Sequence, residues 1–344
     1  MPNQAPVRVA LIGAGRIGAN HAELLAREIP DAELVVVADP TPSADALASR
    51  LGVESERSSD AVLGRDDVDA VVITTPARTH ADLVVAAAQA GKHVFVEKPM
   101  AVTLADADRA IAAADSAGVV LQVGFNRRFA PGFAAARGAI DSGRVGTPQL
   151  LRSLTRDPGP FTADPARIPQ WTIFLETLIH DFDALAHLNP GAKPVTVTAH
   201  ADALVRPDAK NSGHLDTAVV TIVFDNGAIA TAEASFCAVY GYDVRAEVFG
   251  SGGMVTAGDI RRTDMTYSGP DGIAVDTSRL DTDLLHAAYL GELGAFVDAV
   301  RTGRPATVTG QDARNALRIA LAAIRSVETG TTVDIASISA EVTA

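Results

Sequence analysis

Two groups of side chains in this sequence have the types and spacing to exchange protons with a hydroxyl group. The first is Glu97-Lys98-Pro99, which directly follows the apolar run 93–96. A lysine held beside a bound cofactor can shuttle a proton, because burial favours its neutral form. Pro99 would fix the backbone here, with a cis bond before it as one option. The tripeptide indicates acid–base chemistry at Lys98, and a lysine in a surface loop is the alternative.

The second group is Glu176-Thr177-Leu178-Ile179-His180, which lies within a helix-like pattern. On an α-helix, Glu176 and His180 are one turn apart on the same face, so the carboxylate would orient the imidazole. An imidazole oriented in this way can serve as a general base. Asp183 and His187 continue that face, which leaves a divalent metal site or a polar stripe without chemistry as alternatives.

A glycine-rich turn predicts the cofactor for this chemistry. Gly13-Ala14-Gly15-Arg16-Ile17-Gly18 follows the apolar run Val7–Ile12, and Asp39 ends the next apolar run, about 20 residues after the last glycine. The three glycines suit a tight turn, a backbone approach to a pyrophosphate, and close helix–strand packing. The pattern predicts an NAD site in which Asp39 accepts ribose hydroxyls, and a nucleotide-free α/β unit is the alternative. We expect no metal, since hydride transfer to NAD assisted by a lysine needs none.

The elements that must position these residues alternate in the first third of the chain. The predicted strands are almost entirely apolar, as parallel strands buried on both faces are. They cover residues 7–12, 34–38, 70–74, 93–96 and 119–123, and the predicted helices cover 16–28, 43–51, 79–90 and 104–117. This alternation predicts a doubly wound parallel sheet of the Rossmann type over residues 1–124.

After Gly124 the pattern changes to helices and alternating strands. Helices are predicted over 131–142, 173–188, 284–301 and 311–328, a long loop over 152–170, and strands over 195–204, 215–224, 228–236, 242–250, 253–257 and 264–267. Asp225-Asn226-Gly227 is typical of a hairpin turn. Residues 125–344 therefore form a predicted α/β domain on a large, mostly antiparallel open sheet. Because helices would cover only one sheet face, we expect a homo-oligomer, and a monomer with a polar outer face is the alternative.

Composition limits the function classes. The 344 residues are 47% hydrophobic and 21% charged, which is typical of a globular protein of two domains. The net charge of −13 and the lack of a basic run argue against nucleic-acid binding. The single cysteine, Cys237, rules out an intramolecular disulfide. No apolar run is long enough to span a bilayer, and the first residues lack a signal-peptide pattern, so we expect a cytoplasmic protein.

Taken together, these motifs match a known family over nearly the full chain. They are the glycine-rich turn, Thr75-Pro76, Glu97-Lys98-Pro99, Gly124-Phe125-Asn126-Arg127-Arg128-Phe129, and residues 176–183. The chain resembles the glucose–fructose oxidoreductase/inositol dehydrogenase family, and within it bacterial inositol 2-dehydrogenases, a narrower likeness supported by residues 156–158 and 240–243. The resemblance implies a Rossmann domain, a second domain with a large open sheet, and frequent assembly into tetramers.

The resemblance also implies an activity and a set of site residues. The activity is NAD-dependent oxidation of a hydroxyl of a cyclic polyol, with an inositol as the best single candidate. Alternatives are an aldose dehydrogenase, because Glu176 stands where inositol dehydrogenases usually have Asp, and a non-catalytic NAD sensor. Lys98 and His180, with Glu176, are the implied catalytic residues, and Asn126, Arg127, Asp157 and Tyr242 the implied polyol ligands. The residues expected near the cofactor are Gly13, Gly15, Arg16, Ile17, Gly18, Asp39, Thr75, Pro76, His80, Glu97 and Lys98.

Overall fold

The chain forms two compact units in the computed structural model, which describes residues 5–159, 168–212 and 214–340. The first unit contains the chain up to Asn126 together with Tyr289–Arg314, and the second contains Arg127–Ala288 and the chain from Asn315 onwards. The first unit is therefore built from two separate stretches of sequence, whereas the predicted division at residue 124 is a single cut. Local sequence does not signal the return of 289–314, because the contacts that hold it are long-range, such as Val123 N–H donating to the Val308 carbonyl at 3.1 Å.

The first unit contains a six-stranded parallel sheet, which confirms the predicted doubly wound fold. The strand order is β3-β2-β1-β4-β5-β6. Its strands are β1 (Val7–Ile12), β2 (Ala32–Ala38), β3 (Glu54–Glu56), β4 (Ala70–Ile73), β5 (His93–Glu97) and β6 (Leu121–Gly124). Its helices are α1 (Arg16–Arg27), α2 (Ser43–Leu51), α3 (Ser59–Leu63), α4 (His80–Gln89) and α5 (Leu104–Ala117). The short elements β3 and α3 were not predicted, since three polar residues carry no clear period.

Local sequence explains where these helices begin and end. Thr103 caps α5, because its hydroxyl accepts a hydrogen bond from the backbone N–H of Asp106 at 3.0 Å. Gly91 and Gly118 follow α4 and α5 with φ values of 70° and 65°, a left-handed conformation that favours glycine. Gly91 thus ends α4 just before β5, the strand that Lys98 follows.

The second unit is built on a seven-stranded sheet, and this confirms the predicted open, mostly antiparallel architecture. The order is β12-β11-β7-β10-β9-β8-β15, and within the described part of this sheet only β7 and β10 pair in parallel. The strands are β7 (Pro148–Arg156), β8 (Pro194–Asp202), β9 (Thr217–Phe224), β10 (Ile229–Ser235), β11 (Asp243–Gly250), β12 (Gly253–Ala257) and β15 (Val333–Asp334), with β13 (Arg261–Gly269) and β14 (Gly272–Thr277) as a separate hairpin.

The remaining helices follow the start of the second unit along the chain. They are α6 (Pro131–Asp141), α7 (Ile179–His187), α8 (Asp281–Leu284), α9 (His286–Thr302) and α10 (Gly310–Thr329), the last two being shared in sequence between the units. Helix α7 packs against β7 and β10. Among the described residues, no helix combines the length and apolar content that a transmembrane segment requires.

The prediction of a loop over 152–170 is wrong for its first residues. Residues up to Arg156 belong to β7, which pairs in register with both β10 and β11. Arg152 lies on the exposed face of the strand, where its guanidinium pairs with Glu233 of β10 at 2.8 Å. The polar residues here therefore reflect the exposed face of a strand, and not the composition of a loop. Residues 160–167 of the predicted loop, including Phe161, lie outside the described residues.

Candidate active site

The glycine-rich turn of the first unit has the shape that a pyrophosphate needs. Gly13 has a φ of 106°, and a Cβ atom there would lie 2.8 Å from the backbone of Thr74. A Cβ atom on Gly18 would lie 2.0 Å from the Gly13 carbonyl oxygen. A Cβ atom on Gly15 would meet nothing within 4 Å, so this glycine opens onto the space beside the turn. The first and third glycines thus allow packing, and the second leaves room for a ligand.

Asp39 is fixed against this turn by hydrogen bonds to both carboxylate oxygens. Oδ2 accepts from the Ala14 N–H at 2.8 Å, and Oδ1 accepts from the Thr41 N–H at 2.8 Å and its hydroxyl at 2.6 Å. Burial alone would raise the pKa of this carboxyl, but the Thr41 and Ala14 hydrogen bonds and nearby Arg57 hold the pKa below its usual value. Asp39 is therefore an oriented anion, and Oδ2 keeps a lone pair for a further donor.

A cavity of about 900 Å³ brings several predicted cofactor residues together. Its lining includes Gly13, Gly15, Asp39, Thr75 and Pro76. It also includes Arg57, which the sequence analysis missed; its guanidinium pairs with Asp45 and lies 3.5 Å from the Pro40 carbonyl oxygen. A volume of this order suits a nucleotide, and an open glycine turn beside a fixed carboxylate fits an NAD molecule.

His80 holds two loops at this edge of the sheet. Its ring is 1% exposed, with Nδ1 2.8 Å from the Pro99 carbonyl oxygen and Nε2 2.7 Å from the Thr75 carbonyl oxygen. The bond between Lys98 and Pro99 is cis, which confirms the option noted from the sequence. Both ring nitrogens of His80 are thus engaged by backbone, so His80 acts by fixing the segments that carry Thr75 and Lys98.

Lys98 follows the carboxyl end of β5, the edge at which ligands bind in open α/β sheets. Its side chain is half-buried, and its backbone N–H donates to Glu97 Oε2 at 3.1 Å. The Glu97 carboxylate points inward, where Oε1 is 2.8 Å from His21 Nε2. Glu97 therefore holds the Lys98 segment from behind.

In the second unit, the helix that carries Glu176 and His180 begins in an unusual conformation. Trp171 has a φ of 65°, which is strained for a residue other than glycine. Residues Ile173–Leu178 then form a π-helix, and the α-helix α7 starts only at Ile179. The α-helical spacing assumed for Glu176 and His180 does not hold across this junction, because a π turn is wider. Such turns occur frequently at functional sites.

The predicted polyol ligands Asp157 and Tyr242 are in direct contact. The Tyr242 hydroxyl donates to Asp157 Oδ2, and the Gly159 N–H donates to Asp157 Oδ1 at 2.9 Å. Gly241 has a φ of 119°, and a Cβ atom there would lie 2.7 Å from the Ser278 carbonyl oxygen. This glycine therefore lets the loop before β11 turn closely enough for Tyr242 to reach Asp157.

Arg127 lies in a buried network rather than on an open surface. Its side chain donates to Asp181 Oδ1 at 2.6 Å and to the Thr155 hydroxyl. Burial raises the pKa of Asp181 in spite of Arg127 and the hydrogen bonds from Ser153 and Thr155. Asn126, its neighbour in sequence and the other predicted ligand, is also buried. The structure thus gives Arg127 a supporting position beneath the helix that carries His180.

Asp183 and His187, which follow His180 along the chain, are also engaged by arginines. Arg128 Nε donates to Asp183 Oδ2 at 2.9 Å, and its Nη2 donates to Oδ1 at 2.5 Å. Arg137 Nη1 donates to the His187 carbonyl at 2.7 Å. These bonds anchor α7, and so fix the position of His180 in the second unit.

Known proteins resemble this chain over almost its whole length. The model of the oxidoreductase family with an NAD-binding Rossmann fold matches residues 7–125, and that of the GFO/IDH/MocA C-terminal domain matches 133–256. The chain is 38% identical over 328 residues to scyllo-inositol 2-dehydrogenase (NAD(+)) of Bacillus subtilis, covering 94% of this chain and 95% of that protein. It is 39% identical over 327 residues to myo-inositol 2-dehydrogenase of Thermotoga maritima, covering 94% and 96%.

A solved structure is similar in the same way. Scyllo-inositol dehydrogenase from Lactobacillus casei, crystallised with NAD(H) and scyllo-inositol, has a TM-score of 0.92 and 27% identity over 96% of this chain and 100% of that one. These matches confirm the predicted resemblance and the predicted NAD-binding Rossmann domain.

The geometry around Asp39 predicts the choice between NAD and NADP. We expect Asp39→Ser to reduce the NADH-over-NADPH binding preference about tenfold or more, equivalent to about 1.4 kcal/mol. The substitution removes an anion that repels a 2′-phosphate and leaves Arg57 in the same cavity. The dissociation constants of both reduced cofactors, measured by fluorescence titration, test this. Asp45→Asn is the matched control, since it removes a partner of Arg57 but keeps Asp39; an unchanged ratio in Asp39→Ser would contradict the assignment.

Proposed function

Because the chain belongs to the GFO/IDH/MocA family of oxidoreductases, we propose that it is an NAD-dependent dehydrogenase that oxidises a ring hydroxyl of a cyclic polyol, with an inositol as substrate. The observation that carries this proposal is the likeness, over 94% of the chain, to two inositol 2-dehydrogenases. The first unit is the cofactor domain in this proposal, and the second is the substrate and assembly domain.

The first unit supports the cofactor part of the proposal. Gly13, Gly15 and Gly18 would hold the pyrophosphate at the start of α1, where backbone N–H groups and the helix N-terminus favour anions. Arg16 and Ile17 complete this turn, Asp39 would accept the ribose hydroxyls, and the Thr75-Pro76 loop lines the same cavity. Bound NAD supplies the acceptor for a hydride from the substrate carbon.

The acid–base part rests on Lys98 and His180. When the substrate carbon loses its hydride, the hydroxyl on that carbon must lose a proton, and the product is a ketone. His180, oriented by Glu176, accepts this proton in our proposal, and Lys98 polarises the hydroxyl oxygen. The bonds that anchor α7 and the Lys98 segment favour these roles, because a proton-transfer group must be held within hydrogen-bond reach of its target.

The polyol part rests on a set of paired polar groups in the second unit. With the Tyr242 hydroxyl donating to Asp157, the carboxylate and the phenol oxygen together offer acceptor lone pairs, which suits a ring that carries many hydroxyls. Arg127 and Asn126 are proposed to complete the pocket, with Arg127 also holding Asp181. A site whose polar groups pair with hydroxyls discriminates against analogues that lack them, because the groups are then left unpaired.

The roles of Lys98 and His180 predict a loss of turnover without a loss of cofactor binding. We expect Lys98→Ala and His180→Ala each to lower kcat by about 10²–10⁴-fold, the usual contribution of a positioned acid or base. Steady-state kinetics with an inositol and NADH titration are the two measurements. Lys193→Ala, which truncates an exposed lysine of the second unit, is the control and should behave as wild type. Wild-type kcat in Lys98→Ala would remove that residue from the mechanism.

A substitution of Glu176 distinguishes a substrate contact from a role in orienting His180. If its carboxylate touches substrate, Glu176→Asp withdraws it by one methylene and should change the ratios of kcat/KM among myo-, scyllo- and chiro-inositol. If Glu176 only orients His180, all substrates should lose kcat/KM by the same factor. The panel includes glucose and xylose for both proteins. Turnover of an aldose with no NAD reduction by any inositol would refute the inositol proposal but keep the dehydrogenase class.

An exposed apolar row on the seven-stranded sheet supports the proposal of a homo-oligomer. The row runs across five neighbouring strands, each member paired in register with the next: Met254, Phe249, Leu150, Ile229 and Val223. These side chains are 37% to 55% exposed. Contiguous exposed apolar surface of this kind marks an interaction site. We propose that two copies join through this face, in a dimer or as part of a tetramer, since one face can serve both subunits of a two-fold pair.

The apolar row predicts which substitution changes the oligomeric state. Leu150→Asp places a charge at the centre of the row, so we expect a smaller particle by light scattering after size-exclusion chromatography. Ile273→Asp is the matched control, because Ile273 is more exposed still but lies on the separate β13–β14 hairpin. An unchanged mass for Leu150→Asp at micromolar concentration would exclude this face as the interface.

A further inference from the structure

A buried glutamate that the proposed chemistry does not use lies in the first unit. Glu292 on α9 is 0% exposed, and neither of its carboxylate oxygens has a hydrogen-bond partner among the described residues. A buried charge without partners costs several kcal/mol, so a glutamate in this position seldom remains ionised. The side chain is instead expected to hold a proton.

Glu292 belongs to a cluster with Glu97 and His21. One potential ligand atom from each of the three residues lies within 4.8 Å of the others, and all three residues are buried. The backbone of Glu292 is also tied to this region, since Gln122 Nε2 on β6 donates to its carbonyl at 2.7 Å. The cluster therefore joins α1, β5, β6 and α9 directly behind Lys98.

The charged and titratable groups that face Glu292 come from three elements. Helix α1 contributes His21, the end of β5 contributes Glu97 and Lys98, and α9 itself contributes Tyr289, whose ring centre lies 5.6 Å from that of His21. Strand β6 contributes the uncharged Gln122. The negative charge of this cluster is thus set by how many protons the two glutamates share.

The two carboxyl groups have different surroundings, which shift their pKa values in opposite directions. Burial, and to a lesser extent Glu97, raise the pKa of Glu292 well above its usual value. Burial also raises the pKa of Glu97. The hydrogen bond from His21, the electrostatic attraction of His21 and Lys98 and the Lys98 backbone N–H outweigh burial, so the pKa of Glu97 is lowered. Since an ionised carboxylate only accepts, His21 Nε2 must donate to Glu97. One proton therefore belongs to the pair and resides on Glu292.

We propose that Glu292 is a positioning residue that keeps a proton at neutral pH, so that Glu97 is the ionised member of this glutamate pair and Lys98 faces one negative charge from it rather than two. Its neutral carboxyl keeps a second negative charge away from the catalytic lysine. The consequence for turnover rests on the dehydrogenase function proposed above, whereas the protonation of Glu292 does not.

A bound cation is the competing explanation for three inward-facing ligand groups. The direct 2.8 Å contact between His21 and Glu97 favours a proton, because a metal would have to separate these two atoms. The positive charge of Lys98 nearby also opposes a second cation. The experiment below distinguishes the two.

The first test is infrared spectroscopy of the full-length protein without substrate. At neutral pH we expect a carbonyl band of a protonated carboxylic acid that is absent from Glu292→Gln and unchanged in Glu33→Gln, the control at an exposed glutamate. Labelling the wild type with ¹³C-glutamate should shift the band, which gives a second measurement if the variant does not fold. Absence of the band, its retention in Glu292→Gln, or its loss on adding Zn²⁺ or Mg²⁺ at stoichiometric concentration would overturn the proposal.

The second test is the pH dependence of stability, which also needs no activity. The raised pKa of Glu292 means that the folded state binds more protons than the unfolded state above the usual glutamate range. Wild-type stability should therefore fall relative to Glu292→Gln as pH rises above that range. Glu97 acts in the opposite direction and at lower pH, because its pKa is lowered. Parallel urea midpoints for the two proteins over this range would contradict the assignment.

The third test links the cluster to Lys98 through the pH profile of kcat/KM. Glu97→Gln removes an anion beside Lys98, so we expect the alkaline limb of the profile, where a lysine that polarises the hydroxyl oxygen would lose its proton, to move to lower pH. Glu292→Gln replaces a neutral group by a neutral group and should move that limb less. A shift in Glu292→Gln equal to or larger than that in Glu97→Gln would refute the positioning role. A complete lack of turnover in the wild type would instead refute the dehydrogenase proposal, with the first two tests still deciding the proton.

Discussion

The first unit depends on the need to satisfy one buried carboxylate, that of Glu97. An ionised group taken out of water must be hydrogen-bonded on all sides, and its partners here come from separate parts of the chain. His21 on α1 provides a ring nitrogen, and the Lys98 backbone provides an N–H. On β6, a Cβ atom at Gly124 would lie 3.1 Å from the Glu97 carboxyl carbon, so a larger residue there would press on the carboxylate. The position of Lys98 follows from this arrangement.

The second unit uses buried ion pairs for the same purpose. Arg127 pairs with Asp181, and Arg128 pairs with Asp183, all four side chains being almost fully buried. Replacing such pairs by apolar residues is often neutral for stability, so their value lies in geometry. Each guanidinium accepts only a narrow range of orientations of its partner. The two pairs therefore fix the rotation of α7, and with it the place of His180.

Much of the fold was predictable because local patterns determine it. The parallel strands are short apolar runs, the helices have caps and terminal glycines, and Asp225-Asn226-Gly227 forms the expected turn between β9 and β10, with Gly227 at a φ of 84°. The errors have local causes as well. β7 carries arginines on its exposed face, so its sequence resembles a loop, and β14 has no buried residue and lacks an apolar period.

For the site, the sequence by itself determined the glycine turn, the placement of Asp39 and the position of Lys98 at a strand end, because spacing along the chain sets these features. Only the tertiary structure decided which distant groups meet. It placed Arg57 beside Asp39 and turned the Glu97 carboxylate inward to His21. It gave the segment that contains Glu176 a π-helical turn, and it packed α9 into the first unit so that Glu292 lies in the cluster with Glu97. These contacts join residues far apart in sequence, where no local period or propensity specifies the partner. Packing and the satisfaction of buried polar groups select them instead.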